Sequence, residues 1–165
     1  MVKIVREGKQ CKVQSPYLAE FVSRAKEIGG TWEPMSKSWV FSSASSPAVK
    51  KLCIELYGTD GELSVETKSV QIELSNNYYD GQSLTFAGRT IAYRYGRDYP
   101  ARLGNGVGVI QGGFPPSGGS MKNPRLNALS NSVFIVEDVP ISLIEKAIED
   151  NKEGGDWASI TILEV

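Results

Sequence analysis

Between Phe86 and Arg102 the chain interleaves two kinds of side chain with complementary chemistry. Arg89, Arg94, Arg97 and Arg102 alternate with the aromatics Phe86, Tyr93, Tyr95 and Tyr99. Guanidinium groups neutralise phosphates while aromatic faces stack on bases, each stack contributing about 1–3 kcal/mol, so the mixture suits a surface that binds single-stranded nucleic acid. Four arginines beside the single acid Asp98 exceed what solubility requires. A strand through this stretch would place Ile91, Tyr93 and Tyr95 on one face and Ala92 and Arg94 on the other. That leaves a plainer alternative, in which the tyrosines are core and the arginines merely solvated.

A second candidate follows directly. Gly112 and Gly113, Phe114, Pro115 and Pro116, Gly118 and Gly119, then Lys122 and Arg125, form a glycine- and proline-rich run. Glycines let backbone N–H groups converge on an anion, the two cations add charge, and Phe114 could stack on a base. A loop of this length without secondary structure of its own is usually functional or else a flexible connection, and both remain open. No dinucleotide fingerprint is present, because Gly104-Asn105-Gly106-Val107-Gly108 is not followed by a helix. The candidate nucleic-acid contacts are therefore Arg89, Tyr93, Arg94, Tyr95, Arg97, Tyr99, Arg102, Phe114, Lys122 and Arg125, with Lys37 at an N-terminal turn.

The composition excludes much other chemistry. The 165 residues contain no histidine and two cysteines, Cys11 and Cys53. Histidine-based nucleophile activation, HExxH zinc chemistry and a four-ligand Cys/His zinc site within one chain are all ruled out. No catalytic constellation, metal site or cofactor motif emerges, and the expectation is a binding protein rather than an enzyme. The acidic residues Glu137, Asp138, Glu145, Glu149, Asp150, Glu153 and Asp156 match no calcium loop, and a solvated helix face accounts for most of them.

The elements that must carry these residues can be read from periodicity and punctuation. Ser15-Pro16 signals a helix start, and Leu18, Phe21, Val22, Ala25 and Ile28 keep a 3.6-residue period up to Gly29-Gly30. Ser46-Pro47 opens a second helix, in which Val49, Leu52, Cys53 and Leu56 share a face before Gly58, so Cys53 reads as core. Strands are expected at Lys3 to Val5 and Lys12 to Gln14, and at Thr31-Trp32 and Ser38 to Phe41 across a turn at Glu33 to Lys37. The order is ββαββα, ending near residue 58. Beyond it, Lys68 to Leu74, Leu84 to Phe86, Arg89 to Tyr95, Ser132 to Val139 and Ser159 to Val165 read as strands. Ile141, Leu143, Ile144, Ala147 and Ile148 mark one late helix. The expected fold class is α+β, with a small N-terminal unit over residues 1–60 and a β-rich domain over 61–165.

Several residues of the first unit carry a resemblance. Val13-Gln14-Ser15-Pro16-Tyr17, Phe21-Val22, Ala25-Lys26, Gly29-Gly30-Thr31-Trp32 and Lys37-Ser38-Trp39-Val40-Phe41 together resemble the HARP domain, over about residues 10–58. The resemblance implies a small module that engages DNA, often branched or partly single-stranded, of a kind also found in phage and plasmid proteins. In that pattern Trp32 and Trp39 are packing residues. No GxxxxGK[ST] motor motif accompanies it.

Charge is distributed in blocks. The overall net charge of −1 conceals a segment, 86–136, with six Lys/Arg and one Asp/Glu, followed by 137–165 with two Lys/Arg and eight Asp/Glu. The expected function is non-catalytic binding of nucleic acid, DNA in preference to RNA. The rival expectation is a phage-encoded, anti-CRISPR-like inhibitor whose acidic groups face the basic channel of a bacterial nucleic-acid-processing complex. No apolar run of about 20 residues and no apolar N-terminal leader is apparent, so a cytoplasmic protein without membrane contact is expected.

Overall fold

In the computed structural model, which describes residues 1–62, 64–78 and 81–164, the chain divides into two units, Met1–Val65 and Glu66–Val165. The first contains β1 (Lys3–Glu7), β2 (Gln10–Gln14), α1 (Ala19–Glu27), β3 (Thr31–Glu33), β4 (Ser38–Ser42) and α2 (Ser46–Tyr57). Its strands form an antiparallel sheet in the order β1-β2-β4-β3. The apolar stripes of the helices, Phe21 and Ala25 on α1 and Val49, Leu52, Cys53 and Leu56 on α2, bury against Cys11, Val13, Trp39 and Phe41 of the sheet. Burial pushes the Cys53 thiol up to about 12.

Two local expectations change in this unit. α1 begins at Ala19 rather than Pro16, because residues before it stay extended: Leu18 is buried in a β conformation, and the Tyr57 hydroxyl donates to the Pro16 carbonyl at 2.8 Å. A tertiary bond thus takes the acceptor that a first helical turn would have used. Trp39 is buried as expected, whereas Trp32 lies on the edge strand and remains 50% exposed, its ring 5.8 Å from that of Trp39. α2 keeps Pro47 in its first turn and ends at Gly58, which adopts φ +73° and donates its N–H to the Ile54 carbonyl.

The second unit contains β5 (Thr67–Leu74), β6 (Ser83–Phe86), β7 (Arg89–Arg94), β8 (Ala101–Leu103), β9 (Val107–Gln111), β10 (Val133–Pro140), α3 (Ile141–Glu153) and β11 (Ala158–Leu163). One antiparallel sheet runs β11-β5-β10-β9 and a second runs β6-β7-β8. Val70, Ile72 and Leu74 of β5, Phe134 and Val136 of β10, Ile91 and Ala92 of β7 and Ile144 of α3 meet in one core. The fold is α+β, with one late helix following a strand. No helix among the described residues is long and apolar enough to cross a membrane.

Differences from the sequence expectation concentrate in the glycine-rich region and at the C-terminus. Val107–Gln111, where no strand is expected from the sequence, forms β9, which pairs with β10 through Val107↔Val136, Gly108↔Ile135 and Val109↔Phe134. Val107, Val109 and Ile110 favour a strand while Gly108 and the short length weaken the signal, and pairing with β10 decides the matter. α3 continues to Glu153, beyond the apolar period, because Asn151 is buried and clasps the next strand: its Nδ2 donates to the Ala158 carbonyl at 2.9 Å and its Oδ1 accepts from the Ala158 N–H at 3.2 Å. The terminal strand starts at Ala158; Val165, its expected last residue, lies outside the described residues.

Candidate nucleic-acid interface

The expected strand over Arg89 to Tyr95 ends at Arg94, and its side chains do not take the roles anticipated for them. Thr90, Ile91, Ala92 and Arg94 are all buried, so both faces of β7 are covered and no face alternation can be read from it. Tyr93 is half-buried beside Arg102 of the paired strand, and Tyr95, the first residue past the strand, is 75% exposed. The turn from Tyr95 to Pro100 then returns the chain into β8.

Arg94 does not belong to any outer surface, which corrects its assignment as a phosphate contact. Its accessibility is 0%, and its guanidinium is spent on backbone carbonyls. Nε donates to Arg125 O at 2.7 Å, Nη1 to Tyr99 O at 2.6 Å, and Nη2 to Pro115 O at 2.8 Å and Leu126 O at 3.0 Å. Burial lowers its pKa from the ordinary guanidinium value, as expected for a cation solvated by peptide dipoles in place of water. The plainer alternative of core tyrosines and solvated arginines is reversed at this position: the arginine is core and the neighbouring tyrosine is wet.

Arg89 has a similar occupation. It is half-buried, with Nη1 donating to the carbonyls of Glu137 (2.8 Å) and Asp138 (3.2 Å) and Nη2 to that of Asn105 (2.5 Å). These bonds hold the irregularity where β10 shifts register between Val136 and Val139 and Asp138 adopts φ +54°. Burial lowers the Arg89 pKa, against the opposing pull of the Asp138 and Glu137 carboxylates.

The groups left facing solvent form a smaller set. Tyr95 and Tyr99 are 75% and 57% exposed, with ring centroids 6.1 Å apart and an interplanar angle of 75°. Gly96 makes the turn fit, since a Cβ there would stand 2.9 Å from the Tyr99 ring. Between them Arg97 forms a two-pronged pair with Asp98, Nε to Oδ1 at 3.0 Å and Nη2 to Oδ2 at 2.8 Å. The pairing raises the Arg97 pKa and lowers that of Asp98. Arg102 is exposed on β8, directly across from Tyr93.

The glycine-rich segment is tied down rather than loose. Gly118 donates its N–H to the Arg97 carbonyl at 3.0 Å, Gly119 bridges to Pro124, and Ser120 N–H reaches Asn123 O at 2.9 Å, making a small hairpin with exposed Met121 and Lys122 at its tip. Arg125 is exposed on the returning arm. Phe114 does not join the outer surface: it stacks on Phe134 at 5.7 Å and 29° and packs against the core. Lys37 belongs to the first unit, exposed in its turn with φ +51°.

Sequence reasoning missed Met121, 74% exposed at the hairpin tip, and Gly118, whose lack of a side chain admits the Arg94 Nε and the Arg125 carbonyl. An apolar residue set among Gly, Ser, Lys and Asn was the available signal for the first. Nothing local signals the second, which depends on residues brought together by the fold. No protein family matches this chain, and no curated protein or solved structure matches it either.

Proposed function

We propose that this chain binds single-stranded nucleic acid without cleaving it, through the turn between β7 and β8 and the neighbouring hairpin. The observation that carries this reading is the Tyr95–Tyr99 pair, two adjacent rings left mostly in water on an anchored turn. Rings set at a steep angle offer a face to one unpaired base and an edge beside it. Arg97, Arg102, Lys122 and Arg125 are the exposed cations on the same two hairpins, with Arg97 paired to Asp98, whereas Arg94 is buried and Arg89 is held by backbone carbonyls. The HARP resemblance of residues 10–58 points to DNA as the partner.

The test is fluorescence anisotropy with labelled single-stranded, duplex and forked DNA and with RNA, at two or more salt concentrations. Each phosphate contact to a single strand contributes about −0.7 to the slope of log K against log salt, reaching about −3 when all four cations engage. Preference for unpaired DNA with that salt dependence supports the reading; absence of binding at low salt overturns it.

One observation favours a second reading, inhibition of a bacterial nucleic-acid-processing complex. Glu145, Glu149, Asp150 and Glu153 are all exposed along α3, an acidic stripe suited to a basic channel. A bacterial protein captured from a lysate by the wild-type chain, and lost when these four are replaced by Gln and Asn, would favour it over direct nucleic-acid binding.

A further inference from the structure

We infer that Arg94 is a positioning residue, a buried latch that locks the Tyr95–Tyr99 turn and the glycine-rich segment into one body and so sets the affinity of that surface without touching a ligand. The latch rests on geometry alone; its effect on affinity rests on the function proposed above.

The four carbonyls that Arg94 holds come from three separate stretches: Tyr99 in the turn, Pro115 at the start of the glycine-rich run, and Arg125 and Leu126 at its end. Between these anchors the run closes on itself through its own hairpin bonds, and among the described residues its backbone ties to the rest of the unit are the Gly118 N–H on the Arg97 carbonyl and the Leu126 N–H on the Gly81 carbonyl. Phe114 and Leu126 are its apolar footholds, and residues from Pro116 to Asn123 are exposed apart from Gly118. Gly118 is the exception because it sits against the latch, its N–H on the Arg97 carbonyl, where a Cβ would stand 3.2 Å from Arg94 Nε. The planar guanidinium sends donors in three directions from one rigid group, which neither the single ammonium of Lys nor the amide of Gln can reproduce. Removing it would leave carbonyls in both stretches unsatisfied together, so the turn and the run should open together.

Because Arg94 has no exposed surface, its contribution to binding cannot be electrostatic contact with phosphate. Salt dependence therefore separates its role from that of a surface cation. In Arg94→Lys the affinity for a labelled single-stranded DNA oligonucleotide should fall at least about tenfold while the slope of log K against log salt is unchanged; in Arg102→Gln the slope should shrink by about 0.7. Hydrogen exchange on the same R94K protein should show the amides of Tyr99, Gly118 and Arg125 exchanging at least about tenfold faster, with β5 and β10 as protected as in wild type.

A slope reduced in R94K as in R102Q would make Arg94 a phosphate contact and overturn the proposal, as would unchanged exchange at Tyr99 and Gly118. Should R94K fail to fold, native-state exchange of the wild-type chain in sub-denaturing urea decides the matter. Tyr99, Gly118 and Leu126 must then share one opening transition, and separate transitions overturn the latch. If wild type binds no nucleic acid, the proposed function falls while the exchange arm still decides whether the latch exists.

Discussion

Arg94 Nη1 donates to the Tyr99 carbonyl across 2.6 Å, so a fully buried cation fixes the backbone of a ring that stands 57% in solvent. Burying a guanidinium in this way costs desolvation, which four carbonyl acceptors offset through charge-assisted hydrogen bonds of about 1.5–3 kcal/mol each. The chain spends its one fully buried arginine among the described residues on shaping a surface.

If that surface stacks bases, Tyr95→Ala and Tyr99→Ala should each weaken single-stranded DNA binding by about 1–3 kcal/mol, roughly fivefold to 150-fold. Both side chains are mostly exposed, so the melting temperature should stay within a degree or two of wild type. Anisotropy titration paired with a thermal melt checks this, and full affinity in the double variant would remove the rings from the binding site.

Asn151 supplies a test of the fold that is independent of function. Its amide satisfies both the N–H and the carbonyl of Ala158, itself 4% exposed, and so joins the last turn of α3 to β11. Asn151→Ala leaves both backbone groups without their partner and should destabilise the second unit by about 2–3 kcal/mol. Urea denaturation followed through Trp157, which packs against that core, would read the change; a loss below about 0.5 kcal/mol would show that water replaces the amide at no cost.

What the sequence revealed and what it hid follow one physical division. The ββαββα order of the first unit, the strands β5 and β10 and the late helix all rest on apolar periodicity and on Gly or Pro punctuation, which act between near neighbours in the chain. The start of α1, the recruitment of β9 and the depth of Arg94 rest on partners far away in sequence: Tyr57 for Pro16, β10 for Val107 to Val109, and the carbonyls of residues 115, 125 and 126 for the arginine. An Arg flanked by Tyr93 and Tyr95 has the local pattern of a binding surface whether it points outward or inward. Composition located the interesting segment, and only tertiary hydrogen bonding distinguishes a ligand contact from a scaffold.

Gly104 offers a sharper case of the same kind. Its N–H donates to the Ile91 carbonyl at 2.8 Å, and a Cβ there would run into the backbone carbonyl of Thr90, which cannot move without disturbing β7. Gly104→Ala should therefore cost more than about 2 kcal/mol, whereas Gly108→Ala, with open space around its Cβ, should be nearly neutral. Equal stability of the two variants in denaturant would contradict the close approach between Gly104 and β7.

The first unit should lose stability at alkaline pH, with a definite sign. Burial lifts the Cys53 thiol from 9.0 to about 12 and raises the Tyr57 hydroxyl above its ordinary 10.0. Above pH 9 the unfolded chain releases the thiol proton while the folded chain retains it, so the stabilisation is complete below pH 9 and is lost as pH climbs towards 12. From pH 8 to pH 10.5 Cys53 alone accounts for a loss of about 2 kcal/mol, and Tyr57 adds in the same direction. Urea unfolding in a Trp157→Phe background, where Trp32 and Trp39 report the first unit, should show the midpoint falling over that interval. Cys53→Ala should lower stability at pH 8 through the cavity it leaves, yet show a smaller drop on going to pH 10.5. An alkaline drop of undiminished size in Cys53→Ala would assign the effect to other groups and remove the buried thiol as its cause.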